Sequence, residues 1–442
     1  MESISYLCEI LDLIYLVLAI FILSYFLLIF RKIRGRTLPI WASMMFGATL
    51  SLATFSITPM DAFGAIDFRV LSFLFGMLVI TAGFEKSGLI EYTVLRLLKR
   101  AKSIDRVLFY LIFGSGLLSA FLLNDTIALL LTPLAISMGS KLGLGNPRSL
   151  LMPLAFGVTT GSVFTPVGNP QNLLVALGSG IPRPFFQFIA YLLIPTIISL
   201  FAVYFLSKLF FKKELEGKEP FQETKKSLPK PESAISDPDL ARLSLGILVA
   251  LLASFAIVEI FPSLQNLGIN LYTLAFTFGI ILLLLTPRRL FLILGVNWGV
   301  LIFFAGMFVL MRTVWDSGIG PALLSHLPTP DRSMKIQANG AIILNSVLMS
   351  QILSNVPFVQ LYTYEMSALA FTGSYAVPWL ALAAGSTLAG NLTLLGAVSN
   401  VIIVDSAESR NTKAFTFFEF FKYGSIVTIV TCLIYFGFLA LF

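Results

Sequence analysis

Four short polar clusters interrupt otherwise apolar sequence. They are Asn124-Asp125-Thr126, Gly168-Asn169-Pro170-Gln171-Asn172, Ser354-Asn355-Val356-Pro357, and Gly390-Asn391 through Thr393 and Gly396 to Ser399-Asn400. Gly and Pro break helices, and Asn, Ser and Thr can replace the hydrogen bonds a break removes. A broken helix ends in free N–H groups, which attract anions, and in free carbonyls, which attract cations. The candidate ligands for a small solute are therefore Asn124, Asp125, Thr126, Asn169, Ser354, Asn355, Val356, Asn391 and Thr393. The candidate cation-coupling residues are Asp125, Gly168, Asn172, Gly396, Ser399 and Asn400, with Na⁺ as the metal expected there. Asp125 stands apart because an acid deep in hydrocarbon is costly and is a functional candidate by default. Glu85, Asp316, Asp405 and Glu419 all fall near predicted helix ends. The bland reading is that a lone Asn or Gly packs helices together, and that an Asp at a wet tip only caps one. Four clusters in two matched pairs favour function.

Composition says what must position these residues. Of 442 residues, 57% are hydrophobic and 12% charged, and the mean hydropathy is +0.90. A soluble chain would carry about 25% charged residues. Apolar runs of roughly 20 residues recur from end to end and do not alternate, so the chain is a helical membrane protein and not a barrel. Cys8 and Cys432 lie near opposite ends, and His326 is the single histidine, so disulfide frameworks and His-based metal sites find no support. The net charge of +7 fits loop bias better than nucleic-acid binding. No P-loop, GxSxG, HExxH or kinase motif is present, so the chain reads as neither an ATP-driven machine nor an enzyme. No cofactor is expected beyond a coupling Na⁺ or H⁺.

Membrane-crossing helices are predicted near 8–30, 38–58, 66–84, 149–178, 185–211, 241–261, 268–286, 290–313, 375–403 and 414–441. The first reads as a retained helix, because its basic run follows the apolar stretch instead of preceding it. The stretches 105–140 and 337–370 each have a polar knot near the middle and are predicted to be re-entrant hairpins, the alternative being one extra crossing for each. The helices 149–178 and 375–403 are predicted to be broken. Basic clusters at 31–36, 99–106, 208–213, 288–289 and 410–413 mark the cytoplasmic loops, which places both termini outside. Residues 89–103 read as a basic interfacial helix with a counterpart near 317–332. Arg312 and Lys422 read as snorkelling residues near helix ends.

Residues 212–240 are rich in charge, Pro and Ser and read as a poorly ordered cytoplasmic linker. On either side, 1–211 and 241–442 look like copies. FGMLVITAGFEKSGL (75–89) matches FAGMFVLMRTVWDSGI (304–319), and FFQFIAYLLIP (185–195) matches FFEFFKYGSIV (417–427). The polar clusters match in the same order, each about 230 residues further on. The expected fold class is an all-α polytopic membrane protein, an inverted repeat of about five transmembrane helices plus one re-entrant hairpin per half.

The segments NDTIALLLTP (124–133), TPVGNPQNLL (165–174), SNVPFVQL (354–361) and GNLTLLGAVSNVIIV (390–404), in that order, resemble the ion transporter superfamily. That group includes divalent-anion/sodium symporters, citrate transporters, arsenite permeases and some sodium/proton antiporters. The resemblance runs over roughly 70–440. In the symporters, two hairpin tips carry Ser-Asn-Thr triplets that contact substrate carboxylate and help build sodium sites. The matching positions are Asn124-Asp125-Thr126 and Ser354-Asn355-Val356, and neither is Ser-Asn-Thr. The first resembles the Asn-Asp start of arsenite permeases, while the stretch 168–172 does not. Asn169 stands where some antiporters of the group have Asp. Dicarboxylate binding is therefore not carried over.

The expected function is secondary active transport of a small anion, a di- or tricarboxylate or an inorganic oxyanion, coupled to Na⁺ or H⁺ by alternating access. The alternatives are a Na⁺/H⁺ antiporter using Asp125 and an arsenite or metalloid exporter. The expected setting is the plasma (inner) membrane. The partners expected are the solute and lipid, and the resemblance implies a homodimer.

Overall fold

Capping residues set where many helices begin. Asp67 accepts the Arg69 and Val70 amides, Ser103 accepts that of Arg106, and Asp237 that of Leu240, each satisfying otherwise orphaned donors. A computed structural model describes residues 2–30, 32–33, 36–144, 146–215 and 229–442. Apart from a two-residue antiparallel pair, Lys32–Ile33 with Arg36–Thr37, the regular structure among them is helical.

The first half contains α1 (Glu2–Ile29), α2 (Ile40–Ala53), α3 (Pro59–Ala65), α4 (Phe68–Ser87), α5 (Leu89–Arg100), α6 (Ile104–Phe121), α7 (Asn124–Lys141), α8 (Arg148–Gly161), α9 (Pro170–Gly178) and α10 (Pro184–Phe210). A short α11 (Lys212–Leu215) follows. The second half contains α12 (Pro238–Ile260), α13 (Leu271–Leu285), α14 (Arg289–Gly295), α15 (Trp298–Asp316), α16 (Ile319–Leu324), α17 (Lys335–Leu353), α18 (Asn355–Ala368), α19 (Ala376–Leu388), α20 (Val398–Glu408) and α21 (Phe417–Leu439). Eight helices among the described residues (α1, α4, α6, α10, α12, α15, α17 and α21) are long and apolar enough to cross a membrane. The apolar α2 and α13 are shorter, at 14 and 15 residues.

Several predicted boundaries change. The stretch 290–313 is two helices, because Val296 turns extended between Gly295 and Asn297 and α15 starts only at Trp298. The stretch 38–58 gives a helix that stops at Ala53, where the Thr54 hydroxyl folds back on the Leu50 carbonyl and Phe55 takes φ +55°. The counterpart near 317–332 is only the six-residue α16, which Pro328 and Pro330 keep from continuing. Arg312 is held by an ion pair with Asp316 at 2.6 Å. The expectation of a poorly ordered linker falls mainly on 216–228, outside the described residues, as do Arg31 and Arg34.

The broken helices form the centre. α8 is buried from Ser149 to Gly161, and α19 from Pro378 to Leu388. Helices apolar all round belong in such a core. Around them α4 packs on α13 and α2 on α15, α6 on α8 and α17 on α19, α7 on α20 and α18 on α9. α10 packs on α21 and α8 on α19. The α4–α13 crossing needs glycine: a Cβ on Gly76 would lie 2.0 Å from the Ala275 carbonyl oxygen, and one on Gly279 2.7 Å from the Gly76 Cα. Small residues let membrane helices approach this closely.

Candidate functional site

The first break begins where α8 gives way to a single 3₁₀ turn, Ser162–Phe164, and an extended Thr165. Its freed carbonyls are taken up by one side chain. Asn172 Nδ2 donates to the carbonyls of Ser162, Val163 and Thr165 at 3.1, 2.9 and 2.9 Å. Asn169 caps α9 by accepting the Asn172 amide at 2.9 Å, and its Nδ2 donates to Ser162. Thr387, from the second half, completes the set. Its hydroxyl donates to Asn172 Oδ1 at 3.1 Å and accepts from Asn169 and Gln171. A Cβ on Gly168 would lie 2.4 Å from the Ser162 carbonyl oxygen, so only glycine closes this turn.

The second break repeats the plan with a difference. Asn400 Nδ2 donates to the carbonyls of Gly390 and Thr393 at 2.6 and 3.3 Å. Asn391 Nδ2 reaches Thr160 Oγ1 in the first half at 3.1 Å, and Thr393 donates to Gln351 at 2.7 Å. Yet the oxygens Asn391 Oδ1, Ser399 Oγ and Asn400 Oδ1 are buried with no hydrogen-bond partner among the described residues. The side-chain polar atoms of Asn169, Asn172 and Thr165 at the first break leave no such orphan.

The hairpin tips turn inside the protein. Leu122 and Leu123 are extended between α6 and α7, and the Asn124 amide donates to the Gly168 carbonyl at 3.1 Å. That bond ties the first tip to the first break. The Asn124 side chain accepts the Asp125 amide at 2.9 Å, and Asn355 accepts that of Val356 at 3.0 Å. The second tip turns on Ser354, whose φ +62° and ψ 157° are essentially a glycine conformation. The carbonyl of Leu353 beside it accepts the Tyr25 hydroxyl at 2.9 Å.

Both tips open on one cavity of about 330 Å³. Asn124, Asp125, Asn355 and Val356 line it, with Gln171 and Pro170 from the first break and Val398 and Ile402 beyond the second. Trp41, Asn297, Gly299, Phe303 and Phe304 complete its walls. Ser354 instead lines an adjoining apolar chamber of about 360 Å³ that shares Ile40, Phe303 and Val398 with it. Thr126, Gly168, Asn169, Asn172, Asn391, Thr393, Gly396, Ser399 and Asn400 do not line the cavity. Asp125 is the one ionisable side chain among the described residues that line the cavity, and no described group bonds its carboxylate. Among the described residues no group of three or more His, Cys, Asp or Glu is placed to hold a metal.

The helices α7, α9 and α18 all start at this cavity, so the amide side chains of Asn124, Gln171 and Asn355 line it together. Such a wall hydrogen-bonds an oxygen-rich solute. Sequence reasoning gave no role to Gln171, Thr387, Trp41 or Asn297. Gln171 lay inside one of the polar clusters. Asn297 was concealed by reading 290–313 as one helix.

An all-helical membrane fold with discontinuous central helices and two hairpin tips at one cavity defines a polytopic membrane transporter. A model of the citrate transporter family matches residues 25–389, and the chain belongs to that family. Relatives include an uncharacterized transporter of Mycobacterium tuberculosis (Rv2684), 31% identical over 376 residues, covering 83% of this chain and 84% of that one. The silicon efflux transporter LSI3 of Oryza sativa subsp. japonica is 28% identical over 459 residues, covering 90% of each chain. The structure of Neisseria gonorrhoeae MtrF, described as one of a class of antimetabolite efflux pumps, has a TM-score of 0.55 at 15% identity, over 89% of this chain and 84% of that one. That likeness is one of fold.

Proposed function

We propose that the protein is a secondary active transporter that moves a small anion, a di- or tricarboxylate or an inorganic oxyanion, by alternating access. The observation that carries this reading is the meeting of Asn124-Asp125 and Asn355-Val356, about 230 residues apart, at one cavity. The side-chain amide groups of Asn124 and Asn355 bind the cargo. Asp125 couples a proton. The unpartnered oxygens of Asn391, Ser399 and Asn400 take Na⁺ where Na⁺ is the coupling ion. The family description supports a carboxylate, and the silicon efflux named for the rice relative supports an inorganic solute.

The halves act as an inverted repeat. Support comes from helix pairs that exchange between halves, α4–α13 with α2–α15 and α7–α20 with α18–α9, while α10–α21 and α8–α19 pair with themselves. The setting is the plasma (inner) membrane with both termini outside. Trp41 and Asn297 are exposed and form the cavity's mouth; they follow the basic segments 31–36 and 288–289, so the cavity opens to the cytoplasm.

Purified protein in liposomes tests this by tracer uptake of citrate, succinate, silicic acid and arsenite under imposed H⁺ or Na⁺ gradients. Gradient-driven uptake of a carboxylate or oxyanion, uncoupled in Asp125→Asn, is the expected result. Uptake of none of them, or only of silicic acid and arsenite, which are uncharged near pH 7, sinks the anion reading. A Na⁺/H⁺ antiporter is the second reading, favoured by the lack of any Lys or Arg among the described cavity residues. It requires a trapped pH dye to respond to a Na⁺ gradient with no anion present.

A further inference from the structure

Glu259 joins two parts of the molecule at a place no motif marks. It lies one residue from the end of α12 and is 1% exposed. Its carboxylate accepts the Phe185 and Phe186 amides at 2.7 and 2.8 Å. Those amides open α10, whose own N-cap residue, Arg183, holds φ +54° and supplies no side-chain cap. The matching helix α21 caps itself through Thr416 and Glu419. The matching end of α1 carries no acid there: Leu28 and Ile29 border the apolar chamber.

Glu259 sits on the face away from the cavity mouth. α12 starts beside the end of α4, where the Ser236 hydroxyl donates to the Lys86 carbonyl at 2.7 Å. Lys86 lies over Phe291 in α14, just before Asn297 at the mouth. α12 therefore carries Glu259 to the opposite face. Among the packings without a comparable mate in the other half are α15 against α18, where Trp315 meets Tyr364, and α4 against α9. Trp315 is near the end of α15, whose start follows Asn297, so the contact with Tyr364 also lies on the far face.

We propose that Glu259 is a latch that keeps the far face shut and the cavity open at Asn297, and that it must release α10 for the far face to open. Release leaves two helix-end amides uncapped and a carboxylate without donors, so the latched form is favoured. This rests on the alternating-access reading above.

The test uses full-length protein with Cys8 and Cys432 replaced by Ser and Asn297→Cys added. The rate of labelling by a hydrophilic maleimide reports how often the mouth is open, and Ser333→Cys on an exposed loop is the control. Glu259→Ala is expected to slow labelling about fivefold or more, with the control unchanged. Unchanged or faster labelling in folded Glu259→Ala overturns the latch. If that variant fails to fold, Glu259→Gln, which keeps one acceptor, is read by the same criterion with a smaller slowing. A Glu259→Cys/Phe186→Cys pair, once oxidised, should block tracer uptake until reduced. Undiminished uptake in the oxidised form also overturns it. Labelling needs no cargo, so a failure of the transport reading leaves that arm standing on its own.

Discussion

Asn355 and Ser354 are neighbours with different work. Asn355 lines the polar cavity, while Ser354 faces the apolar chamber and carries the strain of the turn. Asn355→Ala should therefore lower tracer uptake by roughly tenfold or more, with a smaller fall in Tm from loss of the bond to the Val356 amide, worth about 1 kcal/mol. Ser354→Gly should raise stability by about 1 kcal/mol, read as a higher Tm, because glycine accepts this backbone region freely. Ser354→Ala should bring no such gain. Equal loss of uptake in both Ser354 variants would instead make the hydroxyl a ligand. Asp125→Asn should leave the protein folded and abolish the proton dependence of uptake.

The two broken helices are held by different numbers of bonds. Asn172 donates to three buried carbonyls and Asn400 to two. Asn172→Leu should cost about 2–4 kcal/mol, seen as a large fall in Tm, and Asn400→Leu clearly less. Equal losses would mean that the carbonyls find other donors. The positions of breaks and tips were legible, because clustered Asn, Gly and Pro are costly in hydrocarbon unless the chain turns or breaks there. How the breaks are closed was not. Thr387 bonds Asn169, Gln171 and Asn172 from over 210 residues away, and no local pattern announces such a contact. The break at Val296 was missed because apolar residues continue through it. Glu259 was missed because a carboxylate one residue from a helix end reads as solvated.

If the basic loops define the cytoplasmic face, the proposed topology puts the start of α1 and the end of α21 on the other. A reporter enzyme active only outside the cytoplasm, fused after Phe442, should be active, and the same reporter inserted at 220 should be silent. The reverse pattern would invert the orientation and make the cavity open outward. The bond between Thr387 and Asn172 has a further consequence, for biosynthesis. The two residues are 215 positions apart. At about 5–20 residues per second, a ribosome needs roughly 10–40 s to make the second after the first. Through that interval the first half sits at the translocon with its polar centre unfinished. Membrane quality control would see every nascent copy as an incomplete protein before it becomes a finished one.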